Sequence, residues 1–234
     1  MAYAHQASTP VAYADESTRA AFLVKVYQHL ALAVLSFIGF ETVLFVTGLA
    51  ERLYDILFGS GGGAWLLILG GFMIVNMIAS RSAANPANTS AQYGGLFLMA
   101  LAESIIFAPF LYLVFNTEGG GGTVASAAVI TVVGFGALTL VAMVTRKDLS
   151  FLRPLVMWGG IVAIGLIIAA VLFSFALGPV FSIAMIGLAG ASILYQTQNI
   201  VRRYPEWAYV SAAVSLFASL MTMFWYVLRL LSRR

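Results

Sequence analysis

Seven uninterrupted apolar runs constrain this chain more than any other feature: residues 30–49, 64–80, 93–115, 123–145, 155–175, 179–199 and 208–230. Each is near the ~20 residues an α-helix needs to cross the hydrocarbon core of a bilayer. None alternates with the period of two that a lipid-spanning strand shows, so the runs predict helices, which satisfy their own backbone hydrogen bonds in lipid. Hydrophobic residues make up 62% of the 234 and charged residues 9%, too much apolar surface for a water-soluble core to absorb. The expected fold is all-α and polytopic, with one membrane domain over 21–234. Residues 1–20 read as a short, polar, flexible tail; they lack a basic start followed by an apolar stretch, so no cleaved signal peptide is expected. The segment AFLVKVYQH (21–29) reads as an amphipathic lead-in, with Lys25 able to snorkel to headgroups. Gly-rich breaks at 59–63 and 118–122 precede the second and fourth spans.

The net charge of +3 does not signal nucleic-acid binding, because the ten Arg and two Lys are scattered among loops and termini. Their placement sets orientation instead. Arg81 follows span two, Arg146, Lys147 and Arg153 follow span four, and Arg202 and Arg203 follow span six; the alternate loops hold Arg52 beside Glu51 and Asp55, and then Glu118. The positive-inside rule therefore puts the N-terminus in the cytoplasm. Seven full spans leave Ser232, Arg233 and Arg234 on the far side, against that rule; either this local bias is outvoted or the last segment does not cross fully.

Two acids fall inside spans, Glu41 in the first and Glu103 in the third. Ionisable groups at membrane depth are costly unless they face a partner or water, so each is a candidate ion or proton site. A structural or interfacial acid is the simpler account of Glu41, near the outer end of its span. For Glu103, about ten residues into its span, the two accounts stand level. On span six, Ser192, Gln196, Asn199 and Arg203 share one helical face; on span seven, Ser211, Ser215, Ser219 and Thr222 do the same. Packing by mutual hydrogen bonds explains both stripes without any ligand, and a polar interior is the alternative. The pairs Gly159 with Ala163 and Gly187 with Ala191 read as helix contacts.

The chemistry that is missing also counts. There are no cysteines, hence no thiolate chemistry or Cys-based metal site. His29 has no second histidine at ligand spacing. The H-E-x-x-H, G-x-S-x-G and P-loop patterns are absent, and Asp15, Asp55 and Asp148 all lie in tail or loops. No enzyme, cofactor or metal is expected.

Three segments carry a more specific signal: TRKDLSFL (145–152), LYQTQNI (194–200) and AAVSLFASLMTMF (212–224). In order and placement they resemble the Bax-inhibitor family. The resemblance implies a bundle in which six helices surround a central seventh. Some members are pH-sensitive calcium leak channels, in which two aspartates share a proton and contact an Arg at the end of span two. Carried onto this sequence, those aspartates fall on Gln196 and Ser219, and the Arg on Arg81; both carboxylates are substituted. A bacterial branch whose members modulate the membrane-embedded AAA protease FtsH is similar in its Thr-x-Asn-Ile ending, here Thr197, Asn199 and Ile200, and in the Ser at 219; Asn85 and Pro86 resemble its loop after span two. It keeps an acid where Gln196 stands. The resemblance thus implies a bacterial inner-membrane protein with FtsH as partner, the tail 1–20 as its handle; the alternative is a calcium or proton leak through Glu103 or Glu41.

Overall fold

The computed structural model describes residues 10–59 and 62–233. Their long elements are all helices: α1 (Glu16–Val46), α2 (Leu49–Gly59), α3 (Gly62–Ala83), α4 (Thr89–Phe115), α5 (Gly120–Val144), α6 (Leu152–Leu172), α7 (Pro179–Arg203) and α8 (Tyr209–Leu231). All except α2 are long and apolar enough to cross a bilayer, so the seven expected spans are present.

Two boundaries differ from the sequence reading. The lead-in and first span form one continuous helix, because nothing between Glu16 and Val46 breaks it and Asp15 caps its start. The Asp15 carboxylate accepts from the Thr18 amide at 3.1 Å, the Thr18 hydroxyl at 2.7 Å and the Ser17 hydroxyl. These bonds hold the carboxyl well below the usual carboxylate range. Of the expected tail, residues 1–9 lie outside the described residues. Val11 is buried, and its amide donates to the Tyr204 carbonyl at 2.8 Å. The second difference is α2, an extra short helix that the left-handed Gly48 sets off from α1. It buries Ala50 and Leu57 and leaves Glu51, Arg52 and Asp55 outside.

The last helix is the central one. α8 packs against α1, α3, α4, α5 and α7 and buries 13 residues, among them Val210, Ala213, Leu216 and Phe217. The small residues Ala212, Ala213 and Ser219 let neighbours approach its axis closely. At 23 residues it is ~35 Å long, enough to cross the whole hydrocarbon core. Arg229 and Arg233 both donate to the Leu177 carbonyl, at 3.4 and 2.7 Å. Two of the C-terminal cations are thus engaged with the α6–α7 connection, where they cap an otherwise free backbone carbonyl.

The bundle therefore has two chemically distinct ends. One, the basic end, gathers the connections after α3, α5 and α7 with Arg146, Lys147, Arg202 and Arg203. The far end gathers α2, the α4–α5 turn and the α6–α7 connection. The small-residue contacts are only partly as expected: a Cβ on Gly159 would meet Leu188 at 2.5 Å, whereas Gly187 faces open space. Closer approaches of backbone to backbone lie elsewhere, where Gly95 of α4 meets Ala79 and Ala83 of α3 and where Gly120 of α5 meets Val114 of α4.

Candidate functional site in the α7–α8 seam

The two polar stripes meet at one point. Gln196 Nε2 donates to Ser192 Oγ at 3.1 Å, Ser219 Oγ donates to Gln196 Oε1 at 3.1 Å, and the two serine oxygens lie 3.0 Å apart. Because the Ser219 proton is committed to Gln196, Ser192 is the donor between the serines. Each hydroxyl then donates once and accepts once, which closes a neutral three-membered ring between α7 and α8. Ser192 and Ser219 are buried and Gln196 is half-buried, so the ring satisfies polar groups whose burial would otherwise be costly. The rest of the α8 stripe turns inward: Ser215 bonds the Ser211 carbonyl at 3.0 Å and Thr222 the Ala218 carbonyl at 2.8 Å.

Asn199 and Arg203 do not join the ring. They line a small cleft at the basic end with Asp148, Ser150, Tyr195, Gln198 and Arg202. Gln198, named in no stripe, does most of the work there. Its Oε1 accepts from the Leu149 amide and its Nε2 donates to the Lys147 carbonyl, each at 2.7 Å. Arg202 adds hydrogen bonds to the Arg146 and Lys147 carbonyls at 3.1 and 3.4 Å and lies 3.9 Å from the Asp148 carboxylate. The amide and hydroxyl of Ser150, and after them the charge of Arg202, hold the Asp148 carboxyl below its ordinary range. So the segments RKDLSFL and YQTQNI, nearly 50 residues apart, form one structure: the loop is clamped over the end of α7. The signal in the sequence was the amide run itself, since Gln196 and Gln198 project ~200° apart on a helix and must serve different neighbours.

The other expected residues stand apart. Arg81 is exposed at the end of α3 and, among the described residues, makes no hydrogen bond or ion pair with Gln196 or Ser219. Glu103 is buried on α4 and lines a cavity of about 510 Å³ between α3, α4, α6 and α8, together with Thr222 and Arg229. That cavity lies toward the far end, beside Leu177; on α8 its lining begins at Met221 and Thr222, just beyond Ser219, which does not line it. Glu41 lines a different, more apolar groove between α1 and α5. Among the described residues no cluster of His, Cys, Asp and Glu could hold a metal ion.

His29, read from the sequence as interfacial, has both ring nitrogens engaged: one lies 2.7 Å from the Lys25 carbonyl, the other 2.8 Å from the Tyr93 hydroxyl. As a carbonyl only accepts, Nδ1 carries the proton and Nε2 accepts from Tyr93 in the neutral ring. This ties α1 to α4 at the basic end.

Comparison with known proteins agrees with this architecture. The family model described as inhibitor of apoptosis-promoting Bax1 matches residues 19–234. Protein LIFEGUARD 4 of Arabidopsis thaliana is 28% identical over 225 residues, covering 92% of this chain and 85% of its own. An uncharacterised Pseudomonas aeruginosa protein is 31% identical over 117 residues, and the protein named modulator of FtsH protease YccA of Escherichia coli is 34% identical over 109. The match spans about half the length of these two bacterial relatives, 52% and 49%. With the family model covering all seven spans, this multi-pass membrane protein belongs to the Bax-inhibitor family.

Proposed function

We propose that the protein is a non-enzymatic modulator of a membrane-embedded protease of the FtsH type, set in a bacterial inner membrane with its basic end in the cytoplasm. The observation that carries this is the neutral Ser192–Gln196–Ser219 ring. A pair of close carboxylates titrates because like charges cannot both ionise cheaply, whereas an amide and two hydroxyls have no such proton to lose. A seam closed by that ring favours a binding role over a pH-gated leak. The 34% identity to the Escherichia coli relative named a modulator of FtsH protease supplies the partner class. The ordered loop Arg146–Leu152 and the exposed Arg203 offer a basic surface on the side where such a protease has its cytoplasmic domain.

The handle is shorter than the sequence suggested. Val11 is anchored to Tyr204, so a segment for the protease to grip is confined to the residues before Pro10. The test is co-purification with FtsH and turnover in its presence, for the full chain and for a variant lacking residues 2–9. Full-length association with slowed turnover of the shortened variant is expected. No association of the full chain overturns the reading, and unchanged turnover of the variant overturns the handle.

A second reading has one observation in its favour, the cavity that Glu103 and Arg229 line. In it the chain leaks cations past Glu103. Calcium flux from proteoliposomes between about pH 5 and pH 8 decides: equal flux for the wild type and Glu103→Gln at every pH removes it.

A further inference from the structure

The groove at Glu41 is unlike the rest of the surface. α1 and α5 each pack on α4 and α8, and the space between their far-end halves is a groove of about 770 Å³, within the range of small-molecule sites. Its walls are Val34, Ile38 and Phe45 on one side and Val132 on the other, with Leu220 and Phe224 in the floor. Into this apolar trough the chain places Glu41, 7% exposed, and Thr131, 3% exposed. Neither carboxyl oxygen of Glu41 nor the hydroxyl of Thr131 has a hydrogen-bond partner. Thr42, on the same wall, shows the ordinary alternative: its hydroxyl bonds the Ile38 carbonyl at 2.8 Å.

A buried carboxyl left without a donor costs free energy that a folded chain does not ordinarily leave unanswered. What fits is a ligand that brings a donor to Glu41 and a hydrocarbon body to the trough. The surroundings choose the donor's charge: α2 packs on α4 and sets Glu51 beside the groove residue Tyr112, whereas Arg229 and Arg233 of the same end are turned to Leu177, in the lining of the other cavity. Helix α1 ends at Val46, five residues beyond Glu41, so the carboxyl lies ~8 Å from the helix end. With the end of α1 in the headgroup layer, that is the depth at which a lipid headgroup gives way to its chains. We infer that the α1–α5 groove is a binding site for a membrane lipid with a primary-ammonium headgroup, the ammonium on Glu41 and one acyl chain along the trough. Thr131 Oγ is free to donate to the ester or phosphate oxygens of the same lipid.

The test is native mass spectrometry of the full chain, released from detergent after titration with phosphatidylethanolamine, phosphatidylcholine or phosphatidylglycerol of matched chains. Wild type is expected to retain one phosphatidylethanolamine about tenfold more tightly than the other two. Glu41→Gln should lose that preference, by the loss of one charge-assisted contact, while Glu103→Gln keeps it. Ala128→Phe, which fills the groove and leaves the carboxyl in place, should lower retention of all three lipids. Equal retention of the three by wild type, an unchanged preference in Glu41→Gln, or a lipid-free dimer that covers the groove each overturns the inference. Size-exclusion elution with the wild type shows that a variant is folded; should Glu41→Gln misfold, Ala128→Phe decides alone, and unchanged retention by it overturns the site.

Discussion

Replacing Gln198 by Ala tests whether the loop clamp is a buried amide or a surface ion pair. The side chain is 5% exposed and makes two 2.7 Å bonds to the loop backbone. Truncation orphans the Leu149 amide outright, while the Lys147 carbonyl keeps its longer bond from Arg202 at 3.4 Å. An orphaned buried group costs about 1–3 kcal/mol, and because Leu149 is half-buried and Lys147 exposed, the loss falls at the low end, about 1–2 kcal/mol. At a factor of ten per 1.4 kcal/mol, loop opening becomes about 5- to 30-fold more frequent. Arg202→Ala removes an exposed ion pair 3.9 Å long and weaker bonds to carbonyls, and should change opening less than about fivefold, since exposed pairs contribute little. The assay is trypsin cleavage after Arg146 and Lys147 in detergent, at protease levels where cleavage follows the open population, with products identified by mass. Wild-type cleavage rates in Gln198→Ala, or a larger effect from Arg202→Ala, would refute the reasoning.

The remaining predictions concern the seam, the helix contacts and pH. Ser219→Ala leaves Gln196 Oε1 without its donor and Ser192 without its acceptor, and should lower stability in mixed-micelle unfolding by about 1–3 kcal/mol; Gln196→Leu, which lets the serines keep their own 3.0 Å bond, should cost less. Gly95→Ala drives a Cβ to 2.4 Å from the Ala79 carbonyl oxygen and should destabilise by about 1–3 kcal/mol through separation of α3 and α4. Gly187→Ala meets nothing within 4 Å and should be neutral or stabilising by up to about 1 kcal/mol. Because the Asp148 carboxyl is depressed in the folded chain, its support of the loop is present above the ordinary carboxylate value and lost as pH falls through the lower folded value. Hydrogen exchange at the Ser150 amide, corrected for intrinsic rates, should therefore stay constant from neutral pH to about pH 4 and accelerate only below it; acceleration already near pH 6 would contradict this.

The spans were legible because a bilayer imposes length and apolarity at once, and few other folds meet both. What escaped notice is what those two rules do not govern. α2 has 11 residues and carries three charges, so by length and polarity it reads as a loop; only its packing of Ala50 and Leu57 makes it a helix. Lys25 and His29 look like a headgroup boundary in the sequence, which sets the first span at residue 30, yet the helix runs on through them and His29 finds Tyr93 in the neighbouring helix. The site divides the same way. Helical spacing places Ser192 and Gln196 on one face, and the structure keeps them together. It does not say how far the partner helix follows α7, so Asn199, on the same face one turn further, lines the cleft instead of the ring.

That difference between Gln196 and Gln198 carries a mechanical consequence. One amide faces the central helix and the other faces the loop, but both ride on the last turns of one unbroken helix, α7. A partner that grips the loop Arg146–Leu152 therefore reaches the seam only by displacing α7 along or about its axis, since no side chain of the loop bonds the ring directly. Rotation of α7 would strain the ring at its three contacts of 3.0–3.1 Å, and neutral hydrogen bonds of that length yield more readily than a charged pair in hydrocarbon. Gln198→Ala should then separate the two ends of the coupling: the loop still binds the partner, while exchange of the amides near Ser219 no longer responds to it.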